Sequence, residues 1–218
     1  MLEASKKTFD FQQRKILIEK AAASATGYHF KKNDIVQSFV IRCDLNNYSV
    51  WSSSKSLDQR VQLLDDFFSS LIPSLDSIGG IFFRDEGDCI VSIFSTYFGI
   101  YEFSNILKFC KSVVLNNYGL DRLSAKVSVA FGNVAFFQKS HEKGSVDWSA
   151  EGQPFVLAAR LEQAIKSGPK IVLIRSFYDA LNQVIGEEMV KTFFDFKKRT
   201  STINIQNENL DIVELEKN

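Results

Sequence analysis

The sequence predicts an α+β domain with a mixed, mostly antiparallel sheet, and the order of its apolar segments is the main evidence. Two segments, 56–79 and 153–168, carry apolar residues at helical spacing, whereas several shorter runs have the composition of buried strands. The resulting order is β-α-β-β-α-β followed by α-β-α-β-β. Its first part matches the split βαβ arrangement of ferredoxin-like folds. A chain of 218 residues is long enough for one substantial core.

The bulk composition is that of an ordinary globular protein. Hydrophobic residues make up 45% of the chain, charged residues 24%, and the formal net charge is zero. No excess of charge therefore favours nucleic acid or a membrane surface. The three cysteines show no metal-ligand spacing and are typical of reduced core residues in a cytosolic protein. With no signal-like N-terminus and no membrane-length apolar segment, we expect a cytoplasmic protein.

The first half of the chain predicts a helical N-terminal extension over 1–33, followed by a folded domain over 34–218. The extension is amphipathic and charged, with a helix over roughly 10–24. The remaining elements of this half are a strand at 37–45, a helix at 56–79 that Pro73 kinks or breaks, a hairpin of strands at 80–84 and 89–94, and a helix at about 97–117.

The second half alternates strands and helices. Its predicted elements are a strand at 124–138 with Gly132 as a bend or bulge, a helix at 153–168 with Pro154 in its first turn, a strand at 170–175, a helix at 176–186 capped by Ser176, and strands at 190–198 and 211–216.

The segment Arg-Asp-Glu-Gly-Asp at 84–88 places more charge between two apolar runs than a hairpin turn needs. Asp88 begins the third strand, and Asp44 ends the first. If these strands are antiparallel neighbours, their acidic ends meet. Two converging carboxylates suit divalent cations such as Mg²⁺, and a pair of such ions serves phosphoryl transfer. A solvated turn is the alternative explanation for each aspartate.

Three segments together resemble the class III nucleotidyl cyclases. The string DLNNYS (44–49) is similar to their Asp-x-x-Gly-Phe-Thr/Ser element, and FFRDEGDCIVSIF (82–94) is similar to their strand-turn-strand element. Residues 151–181 resemble the family's helix with the pattern Gly-x-x-Val-Asn-x-Ala-Ala-Arg-Leu-Glu and the strand and helix after it. The elements occur in the family's order and cover roughly residues 36–215.

The resemblance implies a class III cyclase fold, active as a homodimer with shared sites at the subunit interface. It implies that Asp44 and Asp88 bind two Mg²⁺ or Mn²⁺ ions, with Leu45 also at the metal. Arg160 would stabilise charge in the transition state. The backbone of Leu45, Asn46, Asn47 and Tyr48 would approach the phosphates of a nucleoside triphosphate, and Lys197 or Lys198 matches a phosphate-binding lysine.

Several positions depart from the purine cyclases. Arg84 stands where those enzymes have a base-reading lysine, and Ser149 stands near their second base-reading position. Val156 replaces the asparagine that orients the ribose. Asn47 and Tyr48 replace the usual glycine and phenylalanine.

This combination most resembles the bacterial pyrimidine cyclases of Pycsar anti-phage defence. It implies conversion of UTP to cyclic UMP, read by a downstream effector that binds cyclic nucleotides. The arginine at position 84 suits the carbonyls of uracil and also O2 and N3 of cytosine, so cyclic CMP synthesis is the alternative. Further alternatives are an adenylate or guanylate cyclase, and a catalytically degenerate binding module.

Overall fold

A computed structural model describes residues 35–78, 80–95, 100–140, 146–165, 168–186, 196–205 and 208–217. The predicted extension over 1–33, with its helix at 10–24, lies outside these residues. No helix within the described ranges is long and apolar enough to cross a membrane.

The described chain contains eight strands and five helices. In order they are β1 (Ile35–Leu45), α1 (Tyr48–Ser52), α2 (Leu57–Ser77), β2 (Ile81–Glu86), β3 (Cys89–Ser95), α3 (Ile100–Leu115), β4 (Ala125–Ser140), β5 (Val146–Glu151), α4 (Gln153–Ala164), β6 (Lys170–Ile174), α5 (Arg175–Ile185), β7 (Phe196–Ile205) and β8 (Glu208–Lys217).

One sheet joins all eight strands in the order β2-β3-β1-β4-β6-β8-β7, and β5 pairs with β4 beside this path. The pairing of β4 with β6 is parallel, and the other pairings are antiparallel. The expected antiparallel contact between the first and third strands is confirmed, with Asp44 opposite Cys89. On the other side of β1, Asp44 lies opposite Lys126.

The sheet has a hydrophobic core on each face, and β1 contributes to both. Phe39 and Ile41 face a core shared with α2 and α3, whereas Val36 and Val40 face a core shared with α4. Because β1 is covered on both faces, residues 38–45 are all buried, including the polar Ser38, Arg42 and Asp44. The α4 face also carries the next two even-numbered residues, Arg42 and Asp44, which matter for the site.

The structure differs from the sequence-based predictions in several local features. Pro73 lies inside α2 and does not end it. The register between β1 and β4 is unbroken at Gly132, so this glycine forms no bulge. Ser176 is not a cap, because α5 begins one residue earlier, directly after β6. The short helix α1 and the strand β5 were not predicted.

Candidate active site

Asp44 and Asp88 lie side by side at one end of the β1–β3 pair. The backbone N–H of Leu45 donates to the carbonyl of Asp88 across 3.3 Å. Gly87 and Asp88 form the two-residue turn between β2 and β3, and Gly87 adopts the left-handed φ of +71°. Arg84 and Glu86 belong to β2 and not to the turn. The structure therefore confirms the prediction that these two strand ends meet.

The chain turns sharply after Asp44. Asn46 is buried, its backbone N–H donates to the carbonyl of Ser124 at 2.9 Å, and its side-chain amide donates to the Ser124 hydroxyl at 2.9 Å. Asn47 adopts φ +58° and ψ +24° and precedes the first residue of α1. Asparagine is one of the few residues other than glycine that adopts this left-handed conformation at low cost. The replacement of the family's glycine by Asn47 thus preserves the shape of the turn.

Leu45 and Tyr48, also predicted near the phosphates, pack into the protein. The Leu45 side chain is buried in the core under α2, so only its backbone is available to a ligand. Tyr48 packs partly against the same core, with its ring centroid 5.8 Å from that of Trp51. Burial, and secondarily the charge of Asp88, raises the pKa of Tyr48. Core packing behind the turn is thus the role that the structure gives to Tyr48.

A chain of ion pairs runs beneath α4 and ends at Asp44. Lys126 Nζ lies 3.0 Å from Asp44 Oδ2 and 3.7 Å from Glu162 Oε1. Arg42 donates from Nε to Glu162 Oε2 at 2.7 Å and from Nη1 to Glu86 Oε2 at 2.6 Å. Arg84 Nη2 completes the chain with Glu86 Oε1 at 2.6 Å.

Three members of this chain, Arg42, Lys126 and Glu162, were not predicted as site residues, and Glu86 was predicted to lie in the turn between the two strands. Two signals were present. Arg42 is two residues before Asp44 and therefore shares its face of β1. Glu162 closes the Ala-Ala-Arg-Leu-Glu string. Lys126 carries no signal of its own, since its position opposite Asp44 depends on the strand register.

Negative charge exceeds positive charge around the two aspartates. Four carboxylates, those of Asp44, Glu86, Asp88 and Glu162, accompany the cations Arg42, Arg84 and Lys126 in this region. Burial raises the pKa of Asp44 to about 7, with further contributions from Glu162 and Asp88 that Lys126 opposes. The pKa of Asp88 is also raised, mainly by burial and then by Glu162. A cation bound here would relieve this excess.

The donor atoms at this position suit Mg²⁺ or Mn²⁺. Oxygen or sulfur atoms of Asp44, Cys89 and Glu162 lie within 4.8 Å of one another. Glu162 is already engaged by Arg42 and Lys126, and burial raises the pKa of the Cys89 thiol, which disfavours the thiolate that would bind a metal. Asp44 is therefore the best oxygen ligand of this group, which does not include the Asp88 carboxylate, and hard divalent cations prefer such oxygen donors.

Arg160 lies on the outward face of α4, away from the Asp44 side of the same chain. The buried residues of α4 are Pro154, Ala158 and Leu161, and the exposed row is Gln153, Val156, Arg160 and Gln163. Arg160 donates to Gln163 Oε1 at 3.4 Å. One subunit therefore does not bring Arg160 to its own aspartates.

The Arg84 side chain, on β2, is about half exposed and lies near the first turn of α4. Its guanidinium lies 5.9 Å from the ring centroid of Phe155, in addition to its ion pair with Glu86. Ser149, on β5, is partly buried and pairs with Phe137 of β4.

Lys197 and Lys198 are also distant from the aspartates of their own subunit. Both are exposed on β7, where Lys197 pairs with Glu216 and Lys198 Nζ lies 4.3 Å from the Tyr178 ring centroid. Four strand-to-strand steps separate β7 from β1, which corresponds to about 19 Å.

The fold is similar to those of several solved nucleotide cyclases. The guanylyl cyclase Cya2 aligns with a TM-score of 0.63 at 14% identity, covering 85% of this chain and 94% of the other. The adenylyl cyclase CyaB from P. aeruginosa aligns with a TM-score of 0.64 at 14% identity, covering 86% and 97%. The guanylate cyclase domain of RhGC from Catenaria anguillulae, solved with GTP, aligns with a TM-score of 0.61 at 13% identity, covering 84% and 97%.

Comparisons of sequence gave no match, either to a family model or to a curated protein. At 12–16% identity, the structural likeness establishes architecture and not activity. The topology, the position of Asp44 and Asp88 at adjacent strand ends, and the coverage of nearly all of the related domains agree on one architecture. This chain has the fold of the class III nucleotidyl cyclase catalytic domains.

Proposed function

We propose that this protein is a nucleotidyl cyclase that converts UTP to 3′,5′-cyclic UMP and pyrophosphate. The observation that carries the proposal is the pairing of the strand ends at Asp44 and Asp88 beside the left-handed turn at Asn47. This arrangement offers two hard anionic ligands next to a stretch of backbone that a triphosphate can approach. The fold, shared with adenylyl and guanylyl cyclases, supports the reaction class.

In this proposal Asp44 and Asp88 hold two divalent cations, Mg²⁺ or Mn²⁺. Such ions, when bound, neutralise the triphosphate and favour ionisation of the ribose 3′-hydroxyl. The backbone from Leu45 to Tyr48 orients the phosphates. The 3′-oxygen attacks the α-phosphorus, the bond to the bridging oxygen of the β-phosphate breaks, and pyrophosphate leaves. The 3′-hydroxyl proton passes to water.

The remaining groups come from a second copy of the chain. Arg160 points outward from α4, so it meets the phosphates only across a dimer interface. Arg84 and Ser149 would reach the same nucleotide from that second subunit, as would Lys197 and Lys198. Each homodimer then has two sites, each with aspartates from one subunit and Arg160 from the other. Arg160 would stabilise the negative charge that develops on the α-phosphate and the leaving group.

Arg84 is the proposed reader of the base. Its ion pair with Glu86 and its contact with Phe155 hold the guanidinium at the protein surface. The N–H groups of a guanidinium suit the carbonyls of uracil, and they suit O2 and N3 of cytosine if the protein is instead a cyclic CMP synthase. Such fixed donors discriminate strongly against a base that leaves them unpaired.

Two further functions rest on specific observations. Synthesis of cyclic AMP or cyclic GMP is favoured by the names of the structural neighbours. A binding module without turnover is favoured by Val156, which is half exposed where the family has its ribose-orienting asparagine.

One assay separates these functions. The purified protein is incubated with each of the four ribonucleoside triphosphates and Mn²⁺, and cyclic products are identified by mass spectrometry. We expect cyclic UMP from UTP, with less product from the other three. Cyclic AMP or cyclic GMP as the main product would overturn the pyrimidine assignment, and no cyclic product from any nucleotide would leave the binding module.

Asp88→Ala provides the mechanistic control. The lost interaction is made to a metal and not to the core, so we expect turnover to fall by at least about a hundredfold while folding is retained. Asp65→Ala, at an exposed position of α2, is the matched substitution that leaves turnover unchanged.

We also propose that the product acts as a messenger in cytoplasmic anti-phage defence, through an effector that binds cyclic nucleotides. The test compares phage survival in cells that carry the enzyme and its adjacent genes with survival in cells carrying the Asp88→Ala variant. Equal survival would overturn the proposed antiviral role but not the proposed cyclisation reaction.

A further inference from the structure

The position of Lys126 raises a question that the proposed function leaves open. Its ammonium group lies 3.0 Å from Asp44 Oδ2, where a divalent cation bound to Asp44 would also lie close. Two cations sharing one carboxylate oxygen at such range repel each other, and the repulsion is strong because both side chains are largely buried. Metal binding therefore requires Lys126 to weaken its contact with Asp44.

A second acceptor for Lys126 is already in place. Glu162 Oε1 lies 3.7 Å from Lys126 Nζ, longer than the contact to Asp44, so the ammonium group sits between two carboxylates and nearer to Asp44. Glu162 is itself fixed, because its other oxygen accepts from Arg42 Nε at 2.7 Å. A small shift of a flexible lysine side chain exchanges one partner for the other without leaving any charge unpaired.

We propose that Lys126 is the resident counter-ion of Asp44 and transfers to Glu162 when a divalent cation binds. Glu162 is then a positioning residue: it does not bind the metal, but it accepts the displaced charge. The inference rests on the proposed function only in taking Asp44 as a metal ligand.

The exchange has a consequence for α4. Glu162 lies two residues after Arg160 on that helix and is joined through Arg42 to Glu86 and Arg84. A tighter pair between Lys126 and Glu162 changes the contacts at one end of this chain of ion pairs.

The test measures Mn²⁺ affinity of the full-length protein from the loss of the free-ion electron paramagnetic resonance signal. Lys126→Met removes the competing cation and should tighten Mn²⁺ binding by about tenfold. Glu162→Gln removes the second acceptor, so Lys126 stays on Asp44 and binding should weaken by about tenfold. Opposite signs alone also follow from removing one positive and one negative charge near the ion, so the double variant Lys126→Met/Glu162→Gln decides. The exchange predicts no further loss from Glu162→Gln once Lys126 is replaced, whereas a loss of the same tenfold size in that background overturns it.

Matched controls exist on the neighbouring strands. Lys170 contacts Glu214 at 2.9 Å, and its side chain is 17% exposed, against 16% for Lys126. Lys170→Met and Glu214→Gln therefore remove a comparable ion pair away from Asp44 and should leave Mn²⁺ affinity unchanged. If Lys126→Met does not fold, judged by circular dichroism, Lys126→Gln replaces it with the same expectation.

The outcomes separate this inference from the proposed function. The exchange is overturned if Lys126→Met and Glu162→Gln shift the Mn²⁺ affinity in the same direction or not at all. If Asp44→Asn still abolishes Mn²⁺ binding in that case, the metal site itself stands. Wild-type protein that binds no Mn²⁺ through Asp44 overturns both.

Discussion

Asn47 shows how one residue can differ from a family pattern and still preserve its geometry. Asn47 adopts φ +58°, a left-handed conformation that glycine, the residue of the pattern that this segment resembles, adopts without strain. The conformation directs the backbone after Asp44 away from β1 and into α1. The identity of residue 47 therefore affects stability through the backbone and not through side-chain contacts.

Substitutions at Asn47 should follow this conformational preference. Asn47→Gly should change the free energy of unfolding by less than about 0.5 kcal/mol, and Asn47→Val should lower it by about 1–2 kcal/mol because a β-branched residue is disfavoured at positive φ. Urea unfolding measures both. Asn117→Val, at an exposed residue that is not among those with positive φ, is the control. Equal stability of the Gly and Val variants would contradict the explanation.

The cysteines allow a test based on thiol chemistry. Cys43 and Cys110 are fully buried, and burial raises the pKa of Cys110 to about 12 and that of Cys43 well above its usual range. A raised thiol pKa leaves less of the reactive thiolate at any given pH. At about pH 8, native protein should therefore react slowly with iodoacetamide and unfolded protein rapidly. Mass spectrometry of alkylated peptides measures this, and fast native labelling of Cys110 would contradict it.

At the scale of elements, α4 is held tightly against β4. The Ser128 hydroxyl donates to the Ala158 carbonyl at 2.8 Å, and a Cβ atom on Gly152 would lie 2.3 Å from the carbonyl oxygen of Asn133. Gly152 is the first glycine of the motif string and permits this close approach. The packing of α4 on β4 fixes the direction in which Arg160 points from the outer face of the helix.

Gly152→Ala should therefore damage both stability and activity. Relief of the overlap requires α4 to shift from β4, at a cost of about 1–3 kcal/mol, and the shift moves Arg160. Gly168→Ala is the matched control, because Gly168 has φ +88° with open space around it. It should cost about 1 kcal/mol from backbone strain and leave kcat unchanged. Equal kcat for both variants would show that the close packing of α4 on β4 is unimportant for turnover.

Much of this architecture was predictable because it follows from local patterns. The apolar run of β1, the helical spacing of α2 and the turn at Gly87 each specify an element, and their order predicts that Asp44 and Asp88 meet. The helix α1 has only five residues, too few for a periodic signal. The contact between Arg42 and Glu162 joins residues 120 positions apart, so only the packing of α4 on the sheet reveals it.

At the scale of the whole molecule, the two halves of the proposed site point in different directions. Asp44 lies at a strand end beneath α4, whereas Arg160 lies on the outer surface of that helix. A second copy related by a two-fold axis would complete both sites at once, since the same surface serves both subunits. On the proposed arrangement, catalysis therefore needs a dimer and not a single chain.

Mixing two inactive variants tests this arrangement. Asp88→Ala and Arg160→Ala subunits, exchanged at equal amounts, should give hybrid dimers in which one site keeps every group. With random pairing the mixture should recover about a quarter of wild-type activity, measured as cyclic nucleotide per subunit. Recovery no greater than that of the separate variants would mean that the sites are not shared.

The outward direction of Arg160 also determines how the rate of product synthesis depends on the concentration of the protein. On the proposed arrangement an isolated chain is silent, so at expression levels below the dimer dissociation constant the rate of synthesis rises with the square of protein concentration. Doubling the number of copies per cell would then quadruple the signal, whereas above that level the response becomes linear. At a low concentration in the cell, such a protein would therefore synthesise little product even without an inhibitor.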